Sequence, residues 1–66
     1  MECTSCHMYI IIDGMLVNIN SIGRIVRDGN GVKIKYFMNN NDIIHEIHNT
    51  KRICKNRFNK LKRKLL

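Results

Sequence analysis

The sequence has no proline and no tryptophan, and only five acidic residues against twelve basic ones. With no proline and no Gly/Ser-rich tract there is no linker, so sixty-six residues make one domain, 1–66. Five carboxylates, none spaced as a pair for a pocket, offer no acid–base constellation. Neither Ser21 nor the cysteines have a base and an orienting group beside them. No glycine-rich phosphate loop leads into a helix, because Gly29 and Gly31 belong to a turn. An enzyme is therefore not expected. Long apolar runs are missing too. Met8 to Ile12 is too short to span a bilayer or, with its flanks, to serve as a signal-peptide core. The default compartment is then the cytoplasm, where the three cysteines are expected as reduced thiols.

What the chain does have is positive charge, concentrated at one end. Thr50 to Leu66 holds eight of the twelve Lys and Arg residues: Lys51, Arg52, Lys55, Arg57, Lys60, Lys62, Arg63 and Lys64. No Asp or Glu lies among them, so this segment carries +8, while residues 1–49 sum to −1 (four basic against five acidic). Cys54, Phe58, Leu61 and Leu65 recur there at spacings of four, three and four, with Ile53 and Leu66 beside them. That period predicts an amphipathic helix over 50–66, apolar on one stripe and basic around it, capped by Asn49 or Thr50. Alone, such a helix is marginal in water. Lys51 with Lys55, and Lys60 with Lys64, are like-charge pairs four apart, each costing about 0.2–0.5 kcal/mol. Lys51 and Arg52 also sit at the positive end of the helix dipole. The helix must be held by docking its stripe, where Phe58, Leu61 and Leu65 contribute about 1.5–3 kcal/mol each.

The rest reads as a surface for that stripe. Residues 1–8 show no periodicity and are expected as a loose arm. Tyr9 to Ile12 is β-branched and aromatic, Asp13-Gly14 is a two-residue hairpin signal, and Met15 to Ile19 is the returning strand. Asn20 and Ser21 bend the chain into Ile22 to Arg27, where Gly23 marks a candidate bulge. Asp28-Gly29-Asn30-Gly31 is the clearest turn. Val32 to Met38 alternates, with Val32, Ile34, Tyr36 and Met38 on one face and Lys33, Lys35 and Phe37 on the other. A polar turn leads to Ile43 to His48, where Ile43, His45 and Ile47 share a face opposite Ile44, Glu46 and His48. The expected fold is α+β: a small antiparallel β-meander of four to five strands over 9–48, packed by one C-terminal basic helix. The uncovered sheet face, with Ile10 or Ile11, Leu16 and Phe37, is a candidate partner surface or homodimer interface.

The concentrated charge points to a polyanionic partner: nucleic acid first, an acidic protein surface second, an anionic membrane third. Against this stands a plain solvated face. Ile, Asn and Lys make up 27 of 66 residues, all types with A/T-rich codons, and on that reading codon drift rather than function accounts for some of the lysines. Arg24, Arg27, Lys33 and Lys35 are expected as helpers to the helix, and Phe37 beside Lys33 and Lys35 as the best place for a base to stack, although a second small apolar cluster is the commoner use of such a residue.

Cys3-Thr4-Ser5-Cys6-His7 has the Cys-x-x-Cys-His spacing of c-type haem attachment, which requires export and ligation machinery that nothing else here suggests. Zinc is the more serious use of Cys3, Cys6 and His7, with Cys54, His45 or His48 completing a tetrahedron. One Cys-x-x-Cys without a second matched pair is weak, and no cofactor is favoured. Cys54 on the apolar stripe reads most simply as a small buried hydrophobe.

The Asp13-Gly14 hairpin, Val17-Asn18-Ile19 leading to Ile22, the alternating strand Val32 to Met38 and the Lys-rich terminal helix together resemble small meander-plus-helix proteins of phages and mobile elements of low-GC bacteria. The likeness covers about residues 9 to 66, and its motifs are unspecific. It implies an accessory role, either binding nucleic acid or inhibiting a host defence or polymerase complex, as anti-CRISPR proteins of similar size do. It implies nothing for the Cys-rich arm.

Overall fold

Two turns set the strands. In the computed structural model, which describes residues 8–65, Asp13 (φ 50°) and Gly14 (φ 79°) both take the left-handed backbone that a type I′ turn requires. They join β1 (Tyr9–Ile12) to β2 (Met15–Asn18) in antiparallel register, Ile10 opposite Val17 and Ile12 opposite Met15. Gly29, Asn30 and Gly31, also at positive φ, join β3 (Ile22–Asp28) to β4 (Lys33–Met38), and a polar turn leads to β5 (Ile43–Ile47). The expected arm over 1–8 lies outside the described residues save for Met8, and Leu66 lies outside them at the other end.

The strands do not form one continuous meander. β1 and β2 make a two-stranded sheet; β3, β4 and β5 make a three-stranded one. The break falls at Ile19–Ser21, a 3-10 turn rather than the expected strand end and bend. Two bonds hold it: the Asn18 side chain accepts from the Asn20 amide at 2.8 Å, and Ile19 donates its own amide to the Met8 carbonyl, eleven residues back, at 2.7 Å. Gly23 is the expected bulge. The β3–β4 register slips between Ile22 and Arg24, and a Cβ there would lie 3.1 Å from both the Phe37 carbonyl and the Asn39 side chain.

The helix, α1 (Lys51–Leu65), begins at Thr50, whose hydroxyl accepts from the Ile53 amide at 3.2 Å. It packs on β3 and β4. Its stripe buries Cys54 and Leu61 fully and Phe58 and Leu65 in part, against Ile22, Ile34 and Tyr36 of the larger sheet and Ile10 and Ile12 of the hairpin. The result is a small α+β domain with the helix on one side of the three-stranded sheet.

Candidate nucleic-acid interface

Docking one stripe leaves the rest of α1 in water. Lys51, Arg52, Lys55, Lys60, Lys62, Arg63 and Lys64 are all exposed. None of them forms an ion pair with a described carboxylate. Lys62, Arg63 and Lys64 occupy the last turn, where the helix dipole favours cations, and the Lys62 ammonium lies 5.6 Å from the Phe58 ring centroid. At about 100° per residue, Lys51, Lys55 and Lys62 line one flank of the helix and Lys60 and Lys64 the other.

Arg57 departs from this pattern. It was expected with the surface cations, and the structure turns it inward. Its guanidinium donates to both Glu46 carboxylate oxygens at 3.3 Å and to the Ile11 carbonyl at 2.7 Å. Glu46 also accepts from the Tyr36 hydroxyl at 2.9 Å, and the His48 Nε2 lies 2.9 Å from the same oxygen. Burial alone would raise the Glu46 carboxyl, but hydrogen bonds from Arg57, His48 and Tyr36 outweigh it and hold the group below its ordinary value. Burial likewise opposes the Arg57 charge, and the Glu46 carboxylate more than restores it. The Tyr36 phenol is pushed well up, first by burial and then by the carboxylate it bonds. One half-buried carboxylate thus ties α1 to β4 and β5, and Arg57 carries the tie on to β1.

The sequence alone does not assemble this network, although it carries a signal of it. Alternation along β5 already grouped Ile44, Glu46 and His48 on one face. The opposite face carries two isoleucines, yet Ile43 and Ile47 are exposed while Glu46 is nearly covered. Pairing explains the choice: Tyr36 sits opposite Ile44, so its ring reaches diagonally to Glu46, two residues along.

The four expected helpers are engaged within the sheet, and only Arg27, opposite Ile34, shares the face on which α1 lies. Ile34 and Tyr36 face α1, so Lys33 and Lys35 stand on the other side of the sheet, and Lys35 pairs with Asp28 at 2.8 Å. That hydrogen bond, with the Gly29 amide, keeps the Asp28 carboxyl below its usual range. Arg27 spends its guanidinium on the Gly31 carbonyl (3.3 and 3.2 Å), clamping the turn. Arg24 lies over the Phe37 ring, 4.4 Å from its centroid, so the candidate stacking surface is already capped by a cation. On the hairpin Ile11 and Leu16 are exposed opposite each other, Tyr9 and Met15 are exposed as well, and Ile10 is buried.

For zinc, Cys3, Cys6 and His7 lie outside the described residues. The proposed completing ligands are dispersed: Cys54 in the core, His45 exposed on the outer face of β5, His48 beside Glu46. Among the described residues no group of three metal-ligating side chains forms, and no helix is long and apolar enough to cross a membrane. Comparison with known protein families, with curated proteins and with solved structures yields no match to this chain.

Proposed function

We propose that the chain is a non-enzymatic nucleic-acid-binding protein of the cytoplasm that engages phosphates through the outward side of α1. The observation that carries this reading is the set of seven exposed cations on the crest and both flanks of a docked helix, unpaired with any described carboxylate, in a chain of net charge +7. If about four of them meet phosphates, the logarithm of affinity falls against that of salt with a slope of about −3.6, roughly a hundred-fold between about 50 and 200 mM. Gel shift of duplex DNA, single-stranded DNA and RNA across a salt series measures that slope. Replacing Lys60, Lys62, Arg63 and Lys64 by Gln removes retention while the circular dichroism spectrum is kept. Retention unchanged by those four substitutions sinks the proposal.

A second reading, an inhibitor that docks on a host protein, is favoured by Ile11 and Leu16, which are 63% and 68% exposed side by side on the hairpin. A stoichiometric protein complex that survives nuclease and is lost in Ile11→Lys and Leu16→Lys variants would support it over the first.

A further inference from the structure

The outward side of α1 carries more than charge. Arg52, Asn56, Asn59 and Arg63 are spaced four, three and four, as the apolar stripe is. At about 100° per residue they fall within about 60° of one another, on the side opposite Cys54, Leu61 and Leu65. All four are exposed, and none spends its side chain on a hydrogen bond to another described residue. The crest of the helix is therefore an Arg-Asn-Asn-Arg row with lysines along both flanks.

These are two kinds of chemistry, sorted by position. Lysine is a flexible point charge suited to phosphate. Arginine and asparagine present planar, paired groups: Arg bonds both O6 and N7 of guanine, Asn both N6 and N7 of adenine. Such readers reach base edges only from inside a groove. A helix about 10–12 Å across fits the B-DNA major groove, about 12 Å wide, whereas the deep, narrow major groove of duplex RNA does not admit one. The crest runs about 16 Å along the axis, or about five steps of 3.4 Å. The bonds from Arg57 to Glu46 and Ile11 set the rotation of the helix, so that the crest points away from the sheet.

We infer that α1 is a major-groove reading helix for double-stranded DNA, with Arg52 and Arg63 aimed at guanines, Asn56 and Asn59 at adenines, and the flanking lysines on the phosphates. This rests on the nucleic-acid reading above and adds sequence selectivity to it. Selection from a randomised duplex library, run beside a randomised RNA pool, tests it. The expected result is an enriched duplex motif of about five base pairs containing guanine and adenine. The Asn56→Ala/Asn59→Ala variant then loses about 5- to 150-fold in affinity for that duplex per reading contact removed, while its affinity for a scrambled duplex and its salt slope stay as in the wild type. Ala favours helix more than Asn, so the variant keeps its fold. No enriched motif, a motif whose preference survives the double substitution, or RNA that outcompetes the duplex overturns this inference and leaves charge-driven binding standing. Retention of no nucleic acid even at low salt overturns both.

Discussion

Glu46 does at the level of one residue what a disulfide or metal does in many domains of this size. It holds α1, β4 and β5 to one carboxylate through Arg57, Tyr36 and the neighbouring His48. Glu46→Ala strands the half-buried Arg57 and removes the acceptor of the Tyr36 hydroxyl. The expected loss is about 1.5–3 kcal/mol, read as about 4–8 °C of Tm per kcal/mol in a domain this small. The sign of its pH dependence follows from its lowered carboxyl. The contribution is complete above the ordinary value of 4.5 and is lost as pH falls through the lower folded value. The difference in urea midpoint between wild type and Glu46→Gln should shrink as pH drops from about 7 to about 2. A constant difference would show that the charge of Glu46 plays no part. Glu46 was legible only as a position in an alternating strand. Its role needs Arg57, eleven residues on, to arrive from another element.

At the scale of elements, α1 is the one that cannot stand by itself. Its like-charged neighbours and the cations at its positive pole work against it, so its stripe must supply the stability. Leu61 is the most deeply covered leucine of that stripe, and Leu61→Ala should cost about 2–5 kcal/mol. Thr50→Ala should cost about 0.5–2 kcal/mol through the lost cap. Denaturant titration separates the two, since only the first opens the core. The helix, its stripe, the Asp13-Gly14 turn and the bulge at Gly23 were all legible, because each depends on period or on backbone preference within a few residues. The splitting of the strands into two sheets was not. It involves a 3-10 turn capped by Asn18 and the Ile19 amide, which bonds the Met8 carbonyl eleven residues back.

Across the whole molecule the net charge of +7 is a self-repulsion concentrated on one helix. Added salt screens exposed charges over about 8–10 Å and acts less on the half-buried Glu46–Arg57 pair. Raising ionic strength from about 10 to about 150 mM should therefore raise Tm, and scanning calorimetry in sodium chloride reads this directly. A Tm that falls with salt would mean attractive pairs outweigh the repulsion. The cations are also divided between two sides of the sheet. Lys33→Gln and Lys35→Gln should weaken retention on DNA far less than the helix substitutions do.

Local rules were sufficient for the strands and the helix, their order, the apolar stripe and the concentration of charge, because period, turn chemistry and like-charge spacing are properties of neighbours in the chain. Only tertiary packing decided which face of β5 turned inward, that Arg57 left the surface set, and that Lys33 and Lys35 stand on the other side of the sheet from the helix cations. Those outcomes depend on where a half-buried carboxylate finds its donors and on which side of a pleated sheet the helix settles, and neither is a property of any short stretch of sequence.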